Sequence, residues 1–464
     1  MIKYQEYKEI NLPWLKIIPA NWDIKRNKQF LHERKKIVGN KSSEYTLLSL
    51  TLRGIVVRNL SENKGKIPAS FDNYKIVEPG DIAFCLFDID ETPRTVGLSK
   101  YKGMLTGAYN IFQIEGINAC YLYYYYLALD NIKGLRPLYT GLRKTINVNT
   151  FLSQQMPVPP RAEQDQIVRF LDWKVSEINK LIRIRRKEIQ ELKALKAAVI
   201  NSAITRGIDA NAAMKNTGIY YLPKVPASWE VTKLKRICKV GASINDLLRK
   251  HSDLDEVVFL PMENISEDGE IDCSIKQPIA KVKTGFSSFA KNDVVVAKIT
   301  PCFENGKGAC LDKLESDIGY GTTELFNLRA GDEVLPKYLY FITMTKVFRI
   351  LGEGQMTGSA GQKRVPADFI KDFTIGLPPI DEQQEIVDYI RSAKGRIDRL
   401  IATKHEQLKA LTEFKSSVVS DAVTGKIDVR NVTIPEYEHI DNIYDDNNED
   451  GEETDETETD GEEA

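Results

Sequence analysis

The sequence predicts an α+β protein with two homologous mixed α/β domains, separated by two long helices that pair as an antiparallel intramolecular coiled coil with pseudo-two-fold symmetry. Three observations lead to this fold class. The 464-residue chain repeats itself with a period of about 215 residues. Each copy begins with short β-rich runs and ends with a long heptad pattern. A chain of this length also exceeds what one compact core usually holds, which favours several domains.

The repeat is visible at both ends of each copy. Residues 7–22 align without gaps with residues 214–229, and the two segments share a Pro-Ala dipeptide and a tryptophan. Residues 159–209 align without gaps with residues 378–428, and about a third of the aligned positions are identical. Such ungapped similarity in the same order indicates a tandem duplication.

The first part of each copy predicts a mixed globular domain. Short β-rich runs, such as residues 81–84 and 293–297, are separated by turns that contain Gly, Pro and Asn. Each copy also has one aromatic helix candidate, at residues 121–129 and 338–343. The tyrosines of the first candidate could stack on nucleic-acid bases, but at helical spacing tyrosines more often belong to a core.

Two long helices are predicted after the paired prolines, at residues 160–206 and 378–426. Proline fixes φ and lacks a backbone donor, so it suits the start of a helix. Heptads counted from these prolines give an apolar seam typical of a coiled coil, although a helix on a globular core can show part of the same pattern. The predicted seam comprises Val168, Leu171, Val175, Ile178, Ile182, Ile189, Leu192, Val387, Ile390, Ile397, Ile401, Leu408 and Leu411.

Basic residues interrupt the seam at matching positions of the two helices. Arg185 aligns with Lys404, and Lys196 aligns with Lys415. A buried polar residue in a seam lowers stability but can fix the register, whereas a long basic side chain can also extend past the seam edge into water. Antiparallel pairing would place the two globular domains at opposite ends of a rod roughly 60 Å long.

The charge is distributed unevenly along the chain. The formal net charge is −2, and residues 431–464 hold fifteen Asp or Glu and no Lys or Arg. Removing that segment of charge −15 leaves +13 for residues 1–430, which favours a polyanion as partner. Residues 427–464 are predicted to be an acidic disordered tail, either a solubilising extension or a competitor of DNA for the basic surface.

The sequence contains no motif that predicts catalysis. It has no Gly-rich nucleotide loop, no P-loop and no HExxH motif. The six cysteines form no CxxC pair and the four histidines are scattered, which predicts free thiols and no metal site. No apolar stretch is long enough to cross a bilayer. We therefore expect a cytoplasmic, non-enzymatic chain with no catalytic residue and no cofactor site of its own.

Three blocks, each present twice in the same order, resemble the specificity subunits of type I restriction–modification systems. The first block is the PPxxEQ-type turn at residues 159–164 and 378–383. The second is the helix end at residues 202–209 and 421–428, and the third is the segment 214–229 with its copy at the N-terminus. The resemblance extends to about residue 430.

The resemblance implies a subunit that performs no bond chemistry. Two target-recognition domains each recognise half of a split sequence in double-stranded DNA, and the coiled coil sets the gap between the halves. Two modification (methyltransferase) subunits would dock on the conserved regions, bind S-adenosylmethionine and methylate adenine. Two restriction (translocase/nuclease) subunits could add ATP- and Mg-dependent translocation and cleavage.

This organisation assigns a domain or segment to every part of the chain. The assignments are target-recognition domain 1 at residues 1–159 with a conserved segment at 1–22, the first conserved-region helix at 160–206, target-recognition domain 2 at 207–377, the second helix at 378–426, and the tail at 427–464. We expect each recognition domain to act as a separate module.

Basic and amide side chains in the predicted loops are the candidate DNA contacts. Lys and Arg bind phosphates, and Arg, Asn and Gln can also bind base edges. Each one taken singly is more often a solvated group or a phosphate contact. The candidates are Arg53, Arg58, Asn59, Arg143, Lys144, Asn305, Lys307, Gln355, Gln362, Lys363 and Arg364.

Two other functions are compatible with the sequence. The chain could itself be a nuclease or methyltransferase, which predicts cofactor binding by the purified chain; the missing motifs count against it. It could also be an assembly scaffold whose duplicated domains bind proteins and no DNA. The basic body of the chain argues moderately against a scaffold.

Overall fold

The computed structural model describes residues 2–58, 70–140, 144–359 and 361–441. The chain forms two compact units. Unit 1 contains the residues up to Lys187 and those from His405 onward, and unit 2 contains Glu188–Lys404. Both long helices cross the boundary, so each unit contains the first part of one long helix and the last part of the other.

Unit 1 begins with short strands and helices and leads into the first long helix. In chain order these elements are β1 (Tyr7–Leu12), β2 (Leu15–Pro19), β3 (Asp23–Arg26), β4 (Leu31–Glu33), β5 (Leu48–Thr51), β6 (Gly54–Val57), β7 (Lys75–Val77), β8 (Ile82–Phe84), β9 (Val96–Leu98), β10 (Gly103–Leu105), β11 (Asn110–Ile114), α1 (Ala119–Asn131), α2 (Val148–Ser153), β12 (Gln155–Val158) and α3 (Arg161–Arg206).

Unit 2 contains the corresponding elements and leads into the second long helix. They are β13 (Met214–Ile219), β14 (Leu222–Pro226), β15 (Glu230–Lys233), α4 (Leu234–Ile237), β16 (Cys238–Val240), α5 (Asn245–Leu248), β17 (Glu256–Leu260), β18 (Lys276–Pro278), α6 (Ile279–Val282), β19 (Ser287–Ala290), β20 (Val294–Ala297), β21 (Gly308–Cys310), β22 (Ile318–Gly321), β23 (Leu325–Ala330), α7 (Pro336–Met344), α8 (Lys346–Glu353), α9 (Ala367–Asp372), β24 (Thr374–Leu377) and α10 (Ile380–Val423).

The two units share a framework of antiparallel strands. The central sheet has the order β4-β11-β8-β9 in unit 1 and β16-β23-β20-β21 in unit 2. A hairpin precedes it in both units, β1-β2 and β13-β14, and a further pair, β3-β12 and β15-β24, leads directly to the long helix. The structure therefore repeats the duplication seen in the sequence.

The strands inserted into this framework differ between the units. Unit 1 has the two pairs β5-β6 and β7-β10. Unit 2 instead has a sheet of order β18-β17-β22-β19, in which β17 and β22 run parallel. The framework is thus conserved between the copies, and the inserted parts have diverged.

Aromatic side chains fill the core of each unit. Trp22 and Trp229, which match in the repeat, have no exposed surface. Tyr121 and Tyr125 of α1 are also buried, as is Tyr338 of α7. The interpretation of the tyrosine run as core is therefore confirmed, because buried rings offer no face on which a base can stack.

The long helices pair antiparallel within each unit. In unit 2, Lys404 Nζ lies 2.9 Å from Glu188 Oε2, and Lys196 Nζ lies 3.0 Å from Asp398 Oδ1. Because a higher residue number on α3 contacts a lower residue number on α10, the two helices run antiparallel. In unit 1 the first part of α3 shares a hydrophobic cluster with the last part of α10, including Leu171 and Ala422. The predicted fold class, with two mixed domains and a pair of long helices, is confirmed.

Eight of the thirteen predicted seam residues are buried, and the other five are partly exposed. The buried seam residues are Val168, Leu171, Ile178, Ile182, Ile189, Val387, Ile390 and Ile397. The partly exposed seam residues are Val175, Leu192, Ile401, Leu408 and Leu411.

The basic interruptions of the seam have unequal surroundings. Lys196 Nζ lies 2.5 Å from Asp268 Oδ1 as well as 3.0 Å from Asp398 Oδ1, and despite burial these hydrogen bonds raise its pKa. Lys415, its counterpart in unit 1, lies 3.3 Å from the side-chain oxygen of Asn179. Burial, reinforced by Arg94 and Arg186, lowers the pKa of Lys415 to about 8. Matching positions in the repeat therefore differ in electrostatic environment.

The glutamate of the PPxxEQ turn anchors the preceding hairpin to the long helix. In unit 1 the indole N–H of Trp22 donates to Glu163 Oε1 over 2.8 Å. In unit 2 the indole N–H of Trp229 donates to Glu382 Oε1 over the same 2.8 Å. A buried indole N–H needs an acceptor, so this bond pairs the tryptophan and glutamate of each copy.

The glutamine of the same turn connects two helix starts. Gln164 accepts a hydrogen bond from the backbone N–H of Asn118 (2.9 Å), the residue that caps α1. Gln383 accepts one from the backbone N–H of Leu335 (2.9 Å), just before α7. Each glutamine also donates to the first proline carbonyl of its own turn, at 2.8 Å and 2.9 Å. The motif therefore fixes each globular domain to its long helix.

The segment after α10 corrects one prediction. The sequence predicts a disordered tail from residue 427 onward, but residues 427–441 pack against unit 1, where Ile427, Val429 and Ile440 are buried. The prediction is wrong for these residues because a few widely spaced apolar side chains are sufficient to hold an extended segment on a helix. The rest of the predicted tail lies outside the described residues. In the part of the chain that the structure describes, no helix is long and apolar enough to span a bilayer.

Candidate nucleic-acid interface

In unit 1, a bridged pair of threonines brings one candidate beside the central sheet. Thr145 pairs with Thr140 and with Phe87, which closely follows β8. Lys144 lies within this bridge, and its ammonium is 2.6 Å from Glu91 Oε1. That hydrogen bond raises the pKa of Lys144. Lys144 is cationic, but the Glu91 carboxylate neutralises part of its positive charge.

Unit 2 has the same arrangement. Arg364 pairs with Thr357 and with Ile299, which closely follows β20. The Arg364 guanidinium donates two hydrogen bonds to Glu324, at 2.9 Å and 2.8 Å. These bonds lower the pKa of Glu324 and raise that of Arg364. Arg364 is therefore held in place by a bidentate ion pair, which limits its use as a phosphate contact.

Exposed side chains flank the bridge in unit 2. Gln362 and Lys363 immediately precede Arg364, and Gln355 lies on the other arm. The carbonyl of Lys363 accepts a hydrogen bond from the backbone N–H of Thr300 over 3.0 Å. The backbone at Lys363 is thus fixed while its ammonium faces solvent, an arrangement suited to a phosphate contact.

The loop between β20 and β21 lies next to this bridge. Asn305 is exposed in that loop. The Lys307 ammonium donates to the carbonyl of Met262 over 3.1 Å, so it stabilises a neighbouring turn. The contact between Thr300 and Lys363 brings this loop and the bridge together. The structure thus gathers the predicted candidates of unit 2 in one region.

Arg349, which was not among the predicted candidates, holds the backbone of the same loop. Arg349 is buried, and its guanidinium donates to the carbonyls of Phe303 (2.8 Å) and Gly306 (3.3 Å). It also lies 4.8 Å from the Phe303 ring centroid. Burial lowers the pKa of Arg349 to about 10. A basic residue within an otherwise apolar helix face is the sequence signal that could have indicated it.

The remaining candidates of unit 1 lie on a different hairpin. Arg53 is exposed in the turn between β5 and β6, and its backbone N–H donates to the Thr51 hydroxyl over 3.1 Å. Arg58 directly follows β6, and its backbone N–H donates to the carbonyl of Leu47 over 3.0 Å. Two further candidates, Asn59 and Arg143, lie outside the described residues.

The described parts of the chain contain no set of side chains that could bind a metal ion. Within residues 2–58, 70–140, 144–359 and 361–441, no group of three His, Cys, Asp or Glu side chains is placed to hold a metal ion. The candidate residues provide hydrogen-bond donors and positive charge, and they lie on loops next to the central sheets. Such loops suit the recognition of a polyanion with base edges.

A comparison with protein families shows to which family the chain belongs. The family model described as type I restriction modification DNA specificity domain matches residues 84–194 and 226–410, which is more than half of the chain. The chain belongs to this family. The resemblance inferred from the duplicated blocks is confirmed.

Individual members of the family match to different extents. The specificity subunit of the type I restriction enzyme EcoAI of Escherichia coli is 43% identical over 180 residues, which cover 38% of this chain and 30% of that relative. The MjaVIII specificity subunit of Methanocaldococcus jannaschii is 24% identical over 457 residues, covering 93% of this chain and 99% of the relative. Both relatives are named as specificity subunits of type I restriction enzymes, and the chain spans less than a third of the length of the EcoAI subunit.

A solved structure confirms the fold. It is described as the structural basis of complex assembly and conformational transition of the type I R-M system. The two folds match with a TM-score of 0.61 at 12% sequence identity, over 88% of this chain and 99% of the other. At this identity the likeness concerns the fold and not individual side chains.

Proposed function

We propose that the chain is the sequence-specific DNA-recognition subunit of a type I restriction–modification complex, and that it recognises a bipartite, asymmetric target. The main support is that one framework occurs twice within a single chain of this family, while the inserted strands differ between the units. Dimers with two equal halves recognise palindromic sites. Two related but unequal domains suit two unequal half-sites.

The loops beside the central sheets would contact the DNA. In unit 2, Lys363 would bind phosphate, and Gln362 and Asn305 would supply amide groups for base edges. Arg349 would act as a positioning residue, because it holds the carbonyls of the loop that presents Asn305. In unit 1, Lys144 and Arg53 would contribute mainly to phosphate binding.

Exposed leucines on the paired helices support a docking surface for partner subunits. In unit 2, Leu195 and Leu400 are 50% and 51% exposed, and with Leu192 they line a groove bordered by Glu188 and Lys404. An exposed apolar patch with a charged rim is typical of a protein interface.

The catalytic steps of the complex would lie in its partners. We expect two modification subunits to bring S-adenosylmethionine, and restriction subunits, where they join, to bring ATP and Mg²⁺. This chain would hold none of these groups itself. The complex would act in the cytoplasm, where the host DNA is methylated.

Domain exchange tests the proposal. Replacing residues 20–158 with the equivalent domain of a relative should change one half of the methylated target and leave the other half unchanged. The measurement is methylome sequencing of a host that expresses the chain with its modification subunit. The matched control exchanges residues 227–377, which should change only the other half.

Two outcomes would contradict the proposal. A change of both half-sites in either exchange would show that the domains are not separate modules. A complex that assembles but protects no bipartite site in a footprint would instead indicate an assembly scaffold.

Replacing Lys363 with alanine should weaken binding to specific and non-specific DNA alike. Loss of one phosphate contact should reduce the slope of log K against log salt by about 0.9. Anisotropy titrations of the assembled complex at several salt concentrations measure this slope. The control is Lys313→Ala, which removes an equal charge that is paired with Glu270 (2.6 Å) in unit 2. An unchanged slope in Lys363→Ala, or equal changes in both variants, would argue against the contact.

A further inference from the structure

A short turn in unit 2 connects the helix pair to the recognition domain. We call residues 266–270, which lie between β17 and β18, the linking turn. Asp268 of this turn has its Oδ1 atom 2.5 Å from the ammonium of Lys196 on α3. The same ammonium lies 3.0 Å from Oδ1 of Asp398 on α10. Lys196 therefore joins both long helices and the linking turn at one point.

Internal hydrogen bonds stiffen the linking turn. The Ser266 hydroxyl accepts hydrogen bonds from the backbone N–H groups of Asp268 (3.2 Å) and Glu270 (2.9 Å). The backbone N–H of Ser266 donates to the carbonyl of Glu270 over 2.9 Å. Such local bonds restrict the backbone of a turn. The position of Asp268 therefore determines the positions of its neighbours, Glu267 and Gly269.

The linking turn packs against the loop between β20 and β21. The carbonyl oxygen of Glu267 is 4.0 Å from the position that a Cβ atom would take at Gly306 of that loop. The Lys307 ammonium donates to the carbonyl of Met262, four residues before the turn, over 3.1 Å. Two neighbouring parts of the connection between β17 and β18 thus contact the loop that presents Asn305.

Tyr340 of α7 and Arg349 of α8 connect the same two segments through the core. Both side chains are buried. A Cβ atom at Gly269 would overlap the Tyr340 hydroxyl, so only glycine permits this close approach. Arg349 donates to two carbonyls of the loop between β20 and β21. Burial raises the pKa of Tyr340, while Arg349 lowers it and Asp268 raises it, which indicates that both charged groups lie near the hydroxyl.

We infer that the linking turn fixes the loop between β20 and β21 relative to the helix pair of unit 2, with Asp268 and Tyr340 as positioning residues for the DNA contacts of that loop. The contacts form one continuous series from the helix pair to the loop. Only the effect on DNA rests on the proposed function, because the fixation of the loop is a property of the chain alone. A base contact depends on precise geometry, whereas a phosphate contact depends mainly on charge. Loss of the fixation should therefore reduce discrimination between sequences.

Hydrogen exchange of the full chain without DNA tests the fixation. The backbone N–H groups of residues 305–307 donate to carbonyls within their own loop. In Asp268→Ala these amides should exchange about three- to tenfold faster, because the loop opens more often. Asp268→Glu returns a carboxylate to Lys196 and should keep the rates near those of the wild-type chain. Both variants retain the contact between Lys196 and Asp398, so the pairing of the long helices should not change.

An ion pair elsewhere in unit 2 supplies the matched control. Asp253→Ala also removes one carboxylate, which lies 2.6 Å from the Lys283 ammonium. This variant should leave the exchange of residues 305–307 unchanged. Wild-type rates in Asp268→Ala, or an equal acceleration in Asp253→Ala, would overturn the inference.

DNA binding by the assembled complex tests the effect on recognition. We compare the methylated target with a duplex in which the half-site of unit 2 is scrambled. The ratio of the two affinities should fall about three- to tenfold in Asp268→Ala and recover in Asp268→Glu. The slope of log K against log salt should not change, because no phosphate contact is removed. An unchanged ratio in Asp268→Ala would overturn the positioning role. A failure of the proposed function would show differently, as equal binding of both duplexes by the wild-type complex while the exchange difference persists.

Discussion

Replacing Glu163 with alanine should lower the free energy of unfolding of unit 1 by about 3–4 kcal/mol. Glu163 accepts hydrogen bonds from the Tyr4 hydroxyl (2.5 Å), the Asn21 amide (3.0 Å) and the Trp22 indole (2.8 Å). Tyr4 and Trp22 are buried, so removal of their acceptor leaves donors that water cannot easily reach. Because the hairpin segment and α3 meet at this carboxylate, the loss should affect the whole unit.

The second copy supplies the control. Glu382→Ala removes the matching acceptor, to which Trp229 donates (2.8 Å), and should cost about 1–2 kcal/mol in unit 2. Urea unfolding followed by tryptophan fluorescence compares the two, since three of the four tryptophans are in unit 1. Equal effects of Glu163→Ala and Glu382→Ala would show that the additional donors contribute nothing.

Substitution of the two matching seam lysines by methionine should have opposite effects at pH 7. Lys196→Met should lower stability by about 1–2 kcal/mol, because Asp268 and Asp398 lose a bonded cation. Lys415→Met should raise stability by about 1–3 kcal/mol, because it removes a largely buried charge near Arg94 and Arg186. Denaturant midpoints of the two variants and the wild-type chain measure the difference.

The pH dependence separates the two lysines further. The pKa of Lys415 falls from 10.5 to about 8 on folding, so its destabilising effect is fully present below pH 8. Between pH 8 and 10.5 the unfolded chain binds more protons at Lys415 than the folded chain does. The free energy of unfolding therefore rises with pH over that range. The advantage of Lys415→Met should therefore shrink over that range. The pKa of Lys196 is raised, so its contribution should be lost only as the pH rises above 10.5. Parallel pH profiles for the two variants would contradict this account.

The repeat made much of the framework predictable. Residues 81–84 and 293–297 contain strands β8 and β20, and the predicted aromatic helices correspond to α1 and α7. These elements follow from local periodicity, which the sequence displays directly. The long helices were predictable for the same reason, since the heptad pattern extends over most of their length.

Features that depend on contacts between distant residues could not be predicted. Lys196 and Lys415 occupy aligned positions in the repeat. Lys196 is paired with Asp268 in unit 2, whereas Lys415 lies near Arg94 in unit 1. Asp268 belongs to the inserted part of unit 2, whereas Arg94 lies in the loop between the framework strands β8 and β9. Arg364 was predicted as a DNA contact, but its ion pair with Glu324 joins residues forty positions apart. No local pattern indicates such pairs.

The segment after α10, residues 427–441, makes the two copies chemically unequal on one helix face. Phe170 of α3 and Tyr389 of α10 occupy matching positions, yet Phe170 is 6% exposed and Tyr389 is 45% exposed. The hydrogen bonds from Gln166 to the segment accompany this difference. Two identical molecules that contacted this face of both copies would meet different chemistry at each. Their association would then follow two distinct microscopic constants, so that occupancy proceeds in a preferred order despite the internal duplication.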